Sequence, residues 1–465
     1  MTASPDYTGL SYWHDSAAAR GEHLSPRASL PGDTRVDVAI IGGGLTGLWT
    51  AWYLLKQAPG TSVAIIEREI AGFGASGRNG GWASALFPKS ASALERLHGR
   101  DAAVRMRRAM IDTVDEVGRA AAEAEVEIDY VKGGTVMWAR SAPQELAARA
   151  DVAAAQAFGT DPMVWLDEVG PGVAGARGAA FDPSCARLHP AKLSRGMARA
   201  VVSLGGTIYE RTTALEVHGA GASGPLPRVV TDHGTVTAAR VIVATEGYTP
   251  QLPGWRKRIL PLYSLMVATE PLPDEFWDHI GIAHGQTFSD YRHLLIYGQR
   301  TADNRIAFGG RGARYHLGST VKPEYDRVPR VFEHLRRAIE ELFPAARGVA
   351  ITHTWGGNLG VPRDWHASVD LDRATGIGFA GGYVGDGLST TNLAGRTLAD
   401  LILDRDTELT RLPWVGHRSP SWEVEPLRFL GANAGLVATG LADREERITR
   451  RPSVIARLVA PLTGH

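Results

Sequence analysis

A glycine-rich turn near the N-terminus is the strongest chemical signal in the sequence. Gly42, Gly44 and Gly47 follow the pattern G-x-G-x-x-G, and Glu67 lies twenty residues after the last glycine. Gly42 permits a tight turn, Gly44 lets the backbone approach a pyrophosphate, and Gly47 lets a helix pack closely on a strand. A carboxylate at the position of Glu67 accepts hydrogen bonds from ribose hydroxyls. The spacing therefore predicts a dinucleotide-binding site.

The elements that must position this turn are buried strands and a helix. Residues 36–41 are apolar except for Asp37, as suits a parallel strand that is buried on both faces along most of its length. Residues 48–55 have helical periodicity, and a second strand is predicted over 61–66. The helix N-terminus would offer free amides and partial positive charge to the phosphates. The alternative is that the glycines serve only a tight turn.

Two further segments favour FAD over NAD. Residues 71–81 are rich in glycine and contain Ser76, Arg78 and Asn79; such a loop suits a planar polar ring, and the alternative is a flexible surface loop. Near the C-terminus, a strand over 377–380 leads into a second glycine turn and an amphipathic helix over 388–403. A helix N-terminus suits a flavin, because reduction places negative charge on its ring system. The alternative is that this unit only closes the domain.

These motifs together resemble the D-amino acid oxidase, glycine oxidase and sarcosine oxidase family of flavoproteins, and within it the gamma-glutamylputrescine oxidase branch. The resemblance covers about residues 9–405. It rests on the two glycine turns with Glu67 and on the segments 76–81, 241–248, 269–272, 308–311 and 355–357. It implies a Rossmann-like FAD-binding domain and a substrate domain built on a mainly antiparallel sheet plus helices, an α/β (α+β overall) fold.

The predicted cofactor residues come from the glycine motifs, the polar loop and, by resemblance, a backbone contact to adenine at Ala214. They are Gly42, Gly44, Leu45, Thr46, Gly47, Glu67, Arg68, Ser76, Arg78, Asn79, Gly80, Gly81, Trp82, Ala214, Gly385, Gly387, Leu388 and Ser389.

The catalytic candidates are His366, Tyr297 and Arg311. His366 resembles the histidine that the sarcosine-oxidase branch keeps beside the flavin, and a packing or surface role is its alternative. Tyr297 and Arg311 come from the predicted antiparallel sheet, where a phenol and a guanidinium could hold a substrate's amine and carboxylate. Either could instead be structural, since a strand places half its side chains away from a site. Ser264 and Tyr263 are weaker candidates of the same kind.

The single cysteine, Cys185, excludes an internal disulfide and a cysteine-based metal cluster. It lies away from the segments expected to touch the flavin, so we predict noncovalent FAD and a buried, inert thiol. The histidines show no ligand-like spacing, and we identify no metal site in the sequence. We also match no lysine that would assist reaction with oxygen.

Composition sets further limits. The 465 residues are 44% hydrophobic, enough for two domains, and Lys plus Arg equals Asp plus Glu at 50 each. The absence of a basic block argues against nucleic acid as a partner. Residues 1–35 lack an apolar core, and no uninterrupted apolar run approaches the length of a membrane span, so we expect neither a signal peptide nor a membrane-spanning helix. We predict a cytoplasmic protein with a small-molecule substrate, and a homo-oligomer is compatible with the sequence.

The predicted FAD-binding domain is discontinuous, with residues 33–90, 186–255 and 350–405. The substrate domain takes residues 91–185 and 256–349, with helices over 91–124, 143–158 and 323–343. Residues 406–465 form a C-terminal extension, rich in Pro and Trp at first and densely charged over 443–451.

Three functions are compatible with these features. The first is an FAD-dependent oxidase that converts a C–N bond of an amine or amino acid to an imine, with O2 reduced to H2O2. The second is a dehydrogenase of the same substrates that passes electrons to a quinone or a protein. The third is a flavin-binding protein without turnover.

Overall fold

The computed structural model describes residues 5–160, 162–221 and 225–460. Its strands are β1 (Thr34–Ile41), β2 (Val63–Ile66), β3 (Trp82–Ser84), β4 (Thr135–Ala139), β5 (Val164–Leu166), β6 (Gly178–Asp182), β7 (Cys185–Arg187), β8 (Thr207–Tyr209), β9 (Ala214–His218), β10 (Arg228–Thr231), β11 (Gly234–Val243), β12 (Leu260–Thr269), β13 (Thr287–Asp290), β14 (Ile296–Arg300), β15 (Ile306–Gly310), β16 (Ile351–Val361), β17 (Ser368–Asp372) and β18 (Ile377–Gly381). Its α-helices are α1 (Tyr12–Ala19), α2 (Leu45–Gln57), α3 (Ala75–Arg78), α4 (Ala91–His98), α5 (Arg100–Glu123), α6 (Ala142–Ala157), α7 (Pro190–Ser203), α8 (Asp274–Ile280), α9 (Pro329–Leu342), α10 (Gly387–Ile402), α11 (Leu427–Thr449) and α12 (Val454–Val459).

The first sheet is a mainly parallel sheet of the Rossmann type. Its order is β17-β18-β11-β1-β2-β8, and β1 pairs in parallel with both β2 and β11. Side chains of β1 alternate between two cores: Val38 and Ile40 face the core that contains α2 and α10, whereas Ala39 and Ile41 face the opposite core. A strand buried on both faces explains the unbroken apolar run in this part of the sequence.

The second sheet is mainly antiparallel. Its order is β16-β12-β15-β14-β13-β4-β6-β5, with one parallel pair, β13 with β4. Trp138, Phe288 and Phe308 on its strands pack in one core with Leu335 of α9. The predicted fold class, a Rossmann-like domain beside an antiparallel sheet with helices, is confirmed.

Two predicted helices have different limits in the structure. The helix expected over 91–124 is divided into α4 and α5 at Gly99, whose φ of +84° is outside the helical range. The helix expected over 323–343 begins only at Pro329, after a short 3-10 turn at Pro323–Asp326. Proline suits a first helical position and opposes a helical residue before it, so the break follows from local sequence.

The predicted domain limits differ from the packing in two places. β16, expected with the FAD-binding domain, pairs along its length with β12 in the second sheet. α5, expected in the substrate domain, contributes Met106, Met110 and Val114 to the core of α2 and α10. We propose that the two domains follow the two sheets, with β16 moved to the second and α5 to the first.

The C-terminal extension packs across the body and then forms a helix. Trp414 is fully buried, and the Trp422 indole donates to the Val361 carbonyl at 2.8 Å. The charged part of α11 is also anchored, because the Asp443 carboxylate accepts from the backbone amides of His293 and Leu294. Within the ranges that the structure describes, we find no helix that could cross a bilayer.

Candidate active site

A cavity of about 800 Å³ lies where the two sheets meet. One part of its wall comes from the carboxyl ends of β1, β2 and β11, and the other from β4, β12, β14 and β16. Ligands of open α/β sheets bind outside the carboxyl ends of the strands. The cavity therefore joins a nucleotide-type site to a pocket in the second sheet.

The glycine turn between β1 and α2 has the geometry that the sequence predicted. Gly42 has φ of +110°, and a Cβ on it would lie 2.5 Å from the Ala244 carbonyl oxygen. A Cβ on Gly47 would lie 2.2 Å from the carbonyl oxygen of Gly42. Both contacts are with backbone, which cannot turn away as a side chain can. The turn thus brings the α2 N-terminus to the cavity only because these positions are glycine.

Glu67 lies at the end of β2 and lines the same part of the cavity. Its carboxylate accepts from the Gly43 amide at 2.7 Å and from the Glu69 amide at 2.9 Å, which fixes its orientation. Burial raises the pKa of Glu67 to about 7, whereas these two hydrogen bonds lower it. A carboxylate held in this way suits the ribose hydroxyls of a dinucleotide.

We expect Glu67→Ala to weaken FAD binding by about tenfold to a hundredfold, because a charge-assisted hydrogen bond is lost and its partners are left unpaired. Glu67→Asp should weaken it less. Fluorescence titration of FAD into apoprotein measures both, with the exposed Glu168→Ala as control. An unchanged dissociation constant in Glu67→Ala would contradict the ribose assignment.

The loop 74–82 is fixed by its own side chains. The Asn79 amide side chain donates to the carbonyls of Ala75 and Ser76 and accepts from the Gly81 amide at 2.8 Å. Ser76 Oγ accepts from the Leu45 amide at 2.8 Å, directly at the start of α2. The loop is therefore an ordered wall of the cavity, and the alternative of a flexible surface loop is wrong.

Arg78 was expected to face a planar ring, and the structure gives its guanidinium other partners. It donates to the Asp326 carboxylate at 2.8 Å and to the Tyr248 hydroxyl at 3.3 Å. Its side chain is buried, with 3% exposed. Arg78 therefore links the cofactor loop to the segment before α9, although it also lines the cavity.

A second helix begins at the cavity. The turn 381–387 follows β18, and Gly385, Asp386, Gly387 and Leu388 line the wall at the start of α10. Burial raises the pKa of Asp386 to about 6, and the charge of Arg311 opposes that rise. The N-terminal ends of α2 and α10 both meet the cavity, as a site for phosphates and for a reducible ring requires.

Most of the predicted cofactor residues line the cavity: Gly42, Gly44, Leu45, Thr46, Glu67, Arg68, Ser76, Arg78, Asn79, Gly80, Trp82, Ala214, Gly385, Gly387 and Leu388. Gly47, Gly81 and Ser389 lie outside its lining. Gly47 and Gly81 instead allow close packing, since a Cβ on Gly81 would lie 2.3 Å from the Leu188 carbonyl oxygen. Ser389 is buried within α10. These three residues support the site without forming its surface.

The second sheet contributes Tyr297 and Ser264 to the cavity, and Arg311 joins them directly after the end of β15. The Tyr297 hydroxyl and Ser264 Oγ are 2.8 Å apart, and burial raises the pKa of the Tyr297 phenol. The Arg311 guanidinium donates to the Val384 carbonyl at 2.8 Å, and burial lowers its pKa. Tyr297 and Arg311, two catalytic candidates predicted from the sequence, therefore line the same cavity as the predicted cofactor residues.

Tyr297 lies against the cofactor loop. A Cβ on Gly80 would come within 2.6 Å of Tyr297 Cε2, and one on Gly309 within 2.5 Å of its Cζ. The Trp82 ring meets Tyr297 edge-on at 6.1 Å. Two glycines therefore make the space that lets this phenol reach the cavity.

His366 does not reach the cavity, so its predicted place beside the flavin is not observed. Its ring is fully buried, packed edge-on against Phe87 and stacked on His417 at 3.9 Å between centroids. Burial lowers its pKa to about 4, which leaves the ring neutral at physiological pH. The packing alternative fits the structure better. A sequence match cannot tell on which side of the 362–366 turn a ring will pack.

We therefore expect His366→Ala to lower stability by about 1 to 3 kcal/mol and to leave the rate of flavin reduction near wild type in the folded fraction. Thermal unfolding and anaerobic single-turnover kinetics measure the two effects separately. A slower reduction with an unchanged melting temperature would return His366 to the active site.

Two cavity groups were missed in the sequence. Glu246, directly after β11, accepts from the amides of Gly360, Gly382 and Tyr383 and so joins the second sheet to the turn before α10. Burial raises the pKa of Glu246 to about 7. Lys89 lines the cavity and donates to the Asp364 carbonyl at 2.6 Å. The position of Glu246 directly after a predicted buried strand could have indicated that its carboxylate lies at the cavity.

Comparison with known proteins agrees with this geometry, which is that of a dinucleotide-binding site, and identifies the class as FAD-dependent oxidoreductases. The profile of the DAO family, described as FAD dependent oxidoreductase, matches residues 37–401. The chain belongs to this family of flavoenzymes, and its cofactor is FAD.

Several proteins are similar to this chain over most of their length. Gamma-glutamylputrescine oxidoreductase of Escherichia coli is 30% identical over 416 residues, 86% of this chain and 93% of that protein. A probable oxidoreductase OrdL of Rhizobium meliloti is 31% identical over 395 residues, 82% and 86% of the two chains. The crystal structure of glycine oxidase from Geobacillus kaustophilus superimposes with a TM-score of 0.66 at 20% identity and covers 83% of this chain and 99% of that one. The chain therefore belongs to a family of FAD-dependent oxidoreductases that includes amine and amino-acid oxidoreductases.

Proposed function

We propose that the protein oxidises a C–N bond of an amine or amino acid to an imine and reduces O2 to H2O2. The main support is the meeting of Tyr297 and Arg311 with the two helix N-termini in one cavity. Bound FAD would take a hydride equivalent from the carbon next to nitrogen. Water then hydrolyses the imine to an aldehyde or a keto acid. For each C–N bond oxidised, one O2 accepts the two electrons and becomes one H2O2.

The chain's own residues would bind and orient the substrate. The hydrogen bond to Val384 fixes the Arg311 guanidinium, whose planar donors match a carboxylate. The Tyr297 phenol is protonated at neutral pH, and burial raises its pKa further, so it can donate to a substrate heteroatom. Holding the substrate in one geometry speeds the reaction, because the entropy of bringing the reacting groups together is lost on binding and not in the reaction step.

The cavity wall suits a flexible aliphatic chain. Five of the seven methionines in the sequence line it. These residues are Met106, Met110, Met137, Met163 and Met266. Thioether side chains adapt to irregular apolar shapes, and an apolar wall excludes water from the reacting carbon. We infer an amine or amino acid with an apolar stretch, a class that includes the γ-glutamyl amine named for the Escherichia coli relative.

We further propose that FAD is bound noncovalently. Among the described residues, those that line the cavity include no cysteine or histidine, the residues that attach flavins in some relatives. Cys185 lies elsewhere; burial raises the pKa of its thiol to about 12, and its Sγ contacts Thr287 Oγ1 at 3.3 Å. Acid precipitation should release all yellow colour as FAD. Colour that remains with the polypeptide would contradict this assignment.

Oxygen as acceptor is tested by adding substrate amines to air-saturated enzyme and measuring H2O2 and carbonyl product. The expected result is one peroxide per carbonyl. Product formed only with an added quinone would instead select a dehydrogenase. A cytoplasmic location stays a prediction, which cell fractionation would test.

A further inference from the structure

Three histidines that are far apart in the sequence meet outside the cofactor cavity. His98 ends α4, His366 precedes β17, and His417 lies in the C-terminal extension. One ring nitrogen of each lies within 4.8 Å of those of the other two. We call this group the histidine cluster. A search for ligand spacing in the sequence does not detect it, because only the fold brings the three together.

The hydrogen bonding of His366 uses only one of its two ring nitrogens. Its Nδ1 is 2.7 Å from the Ala367 carbonyl oxygen, and a carbonyl can only accept, so the proton is on Nδ1. Nε2 therefore carries a lone pair. That atom, like the whole His366 side chain, is buried, and it has no hydrogen-bond partner among the residues that the structure describes. A buried acceptor without a partner requires an explanation.

His417 has the complementary arrangement. Its Nε2 is 2.8 Å from the Asp364 carboxylate, which accepts a hydrogen bond from the ring N–H, so the lone pair of the neutral ring is on Nδ1. Histidines that ligate metals usually donate their other N–H to a carboxylate or a carbonyl, which fixes the tautomer and the ring. His366 has the Ala367 carbonyl as this partner, and His417 has the Asp364 carboxylate.

We propose that His98, His366 and His417 bind a divalent transition-metal ion, and that this ion is Zn²⁺. Neutral imidazole is a preferred ligand of zinc, and a tetrahedral site with Zn–N bonds of about 2.0 to 2.1 Å places ligand nitrogens about 3.3 Å apart. Closing the cluster requires the His417 ring to turn out of its stack on His366 and the exposed His98 ring, at the end of its helix, to turn toward them. The fourth position would be taken by water.

The ion would join three separate parts of the chain: α4, the turn before β17 and the C-terminal extension. The cluster also borders the cavity wall, since the His366 ring meets the Phe87 ring at 5.7 Å and Phe87 lines the cavity. Lys89, two residues further on, donates to the Asp364 backbone. We infer a stabilising role for the metal, separate from the oxidation of substrate.

Isothermal titration of Zn²⁺ into untagged, chelator-treated holoenzyme tests the proposal. We expect one ion per chain, a dissociation constant below about 1 µM, and a melting temperature that rises with the concentration of Zn²⁺. His98→Ala, His366→Ala and His417→Ala should each weaken binding by at least about a hundredfold, and Asp364→Asn by about tenfold to a hundredfold. The exposed His233→Ala is the matched control and should bind as wild type does.

His98 is exposed, so His98→Ala keeps the fold even if the buried variants do not. Absence of saturable binding, or wild-type affinity in His98→Ala, would overturn the proposal. Because the titration measures metal and not turnover, its outcome is independent of the proposed oxidation of amines.

Discussion

Gly47→Ala should leave a protein that retains almost no FAD. Its Cβ would lie 2.2 Å from the Gly42 carbonyl oxygen and 3.1 Å from Ile40 Cγ2, so α2 must move away from β1. Overpacking of this kind costs about 1 to 3 kcal/mol, and more where only backbone can yield. The same movement displaces the α2 N-terminus from the phosphate site, and we expect affinity for FAD to fall at least about a hundredfold.

Gly435→Ala is the matched control for this substitution. Gly435 lies within α11, and a Cβ on it would meet no atom within 4 Å. Alanine in an open helical position should raise stability by about 0.5 to 1 kcal/mol and leave FAD content unchanged. Visible absorbance per chain and thermal unfolding measure both variants. Full FAD occupancy in Gly47→Ala would mean that α2 and β1 are not as closely packed as described.

Arg311→Met should slow substrate oxidation strongly while FAD stays bound. The change removes the one guanidinium held against the Val384 carbonyl and facing Asp386, and with it an anchor for substrate. Misplacement of a reacting group by about 1 Å can cost about a hundredfold in rate, and we expect at least that loss in kcat/KM. Arg311→Lys keeps the charge but not the planar donors, so it should recover only part of the activity.

The exposed Arg314→Met controls for the loss of a positive charge in the same segment and should react as wild type does. FAD content and melting temperature are measured alongside the kinetics of all three variants. Wild-type kcat/KM in Arg311→Met would remove Arg311 from the active site and leave Tyr297 as the remaining candidate from the second sheet.

The cofactor half of the site was predictable because it is local in the sequence. The strand, turn, helix and second strand from Thr34 to Ile66 are consecutive, and their glycines need their special conformations whatever packs around them. The prediction of Glu67 follows from the same short unit. The class of fold was therefore recoverable from residue types and spacing, as was the family.

The remainder depends on contacts that the sequence does not encode locally. β16 pairs with β12, about ninety residues earlier, and a strand pattern alone gives no partner. His366 is in a turn whose side chains can face the cavity or the C-terminal extension, and burial against His417 decides between them. Arg78 likewise reaches Asp326 only through the fold. These are the places where the structure differs from the sequence-based expectations.

Anaerobic reduction of the bound flavin by candidate amines is the most direct test of the central claim. Polyamines, γ-glutamyl amines, N-methyl amino acids and D-amino acids would each be added to oxygen-free holoenzyme while the visible absorbance of the oxidised flavin is recorded. We predict complete bleaching by at least one amine or amino acid, and a much slower loss in Arg311→Met. Absence of bleaching by every compound, in protein whose flavin dithionite still reduces, would contradict the assignment of this protein as an amine or amino-acid oxidoreductase.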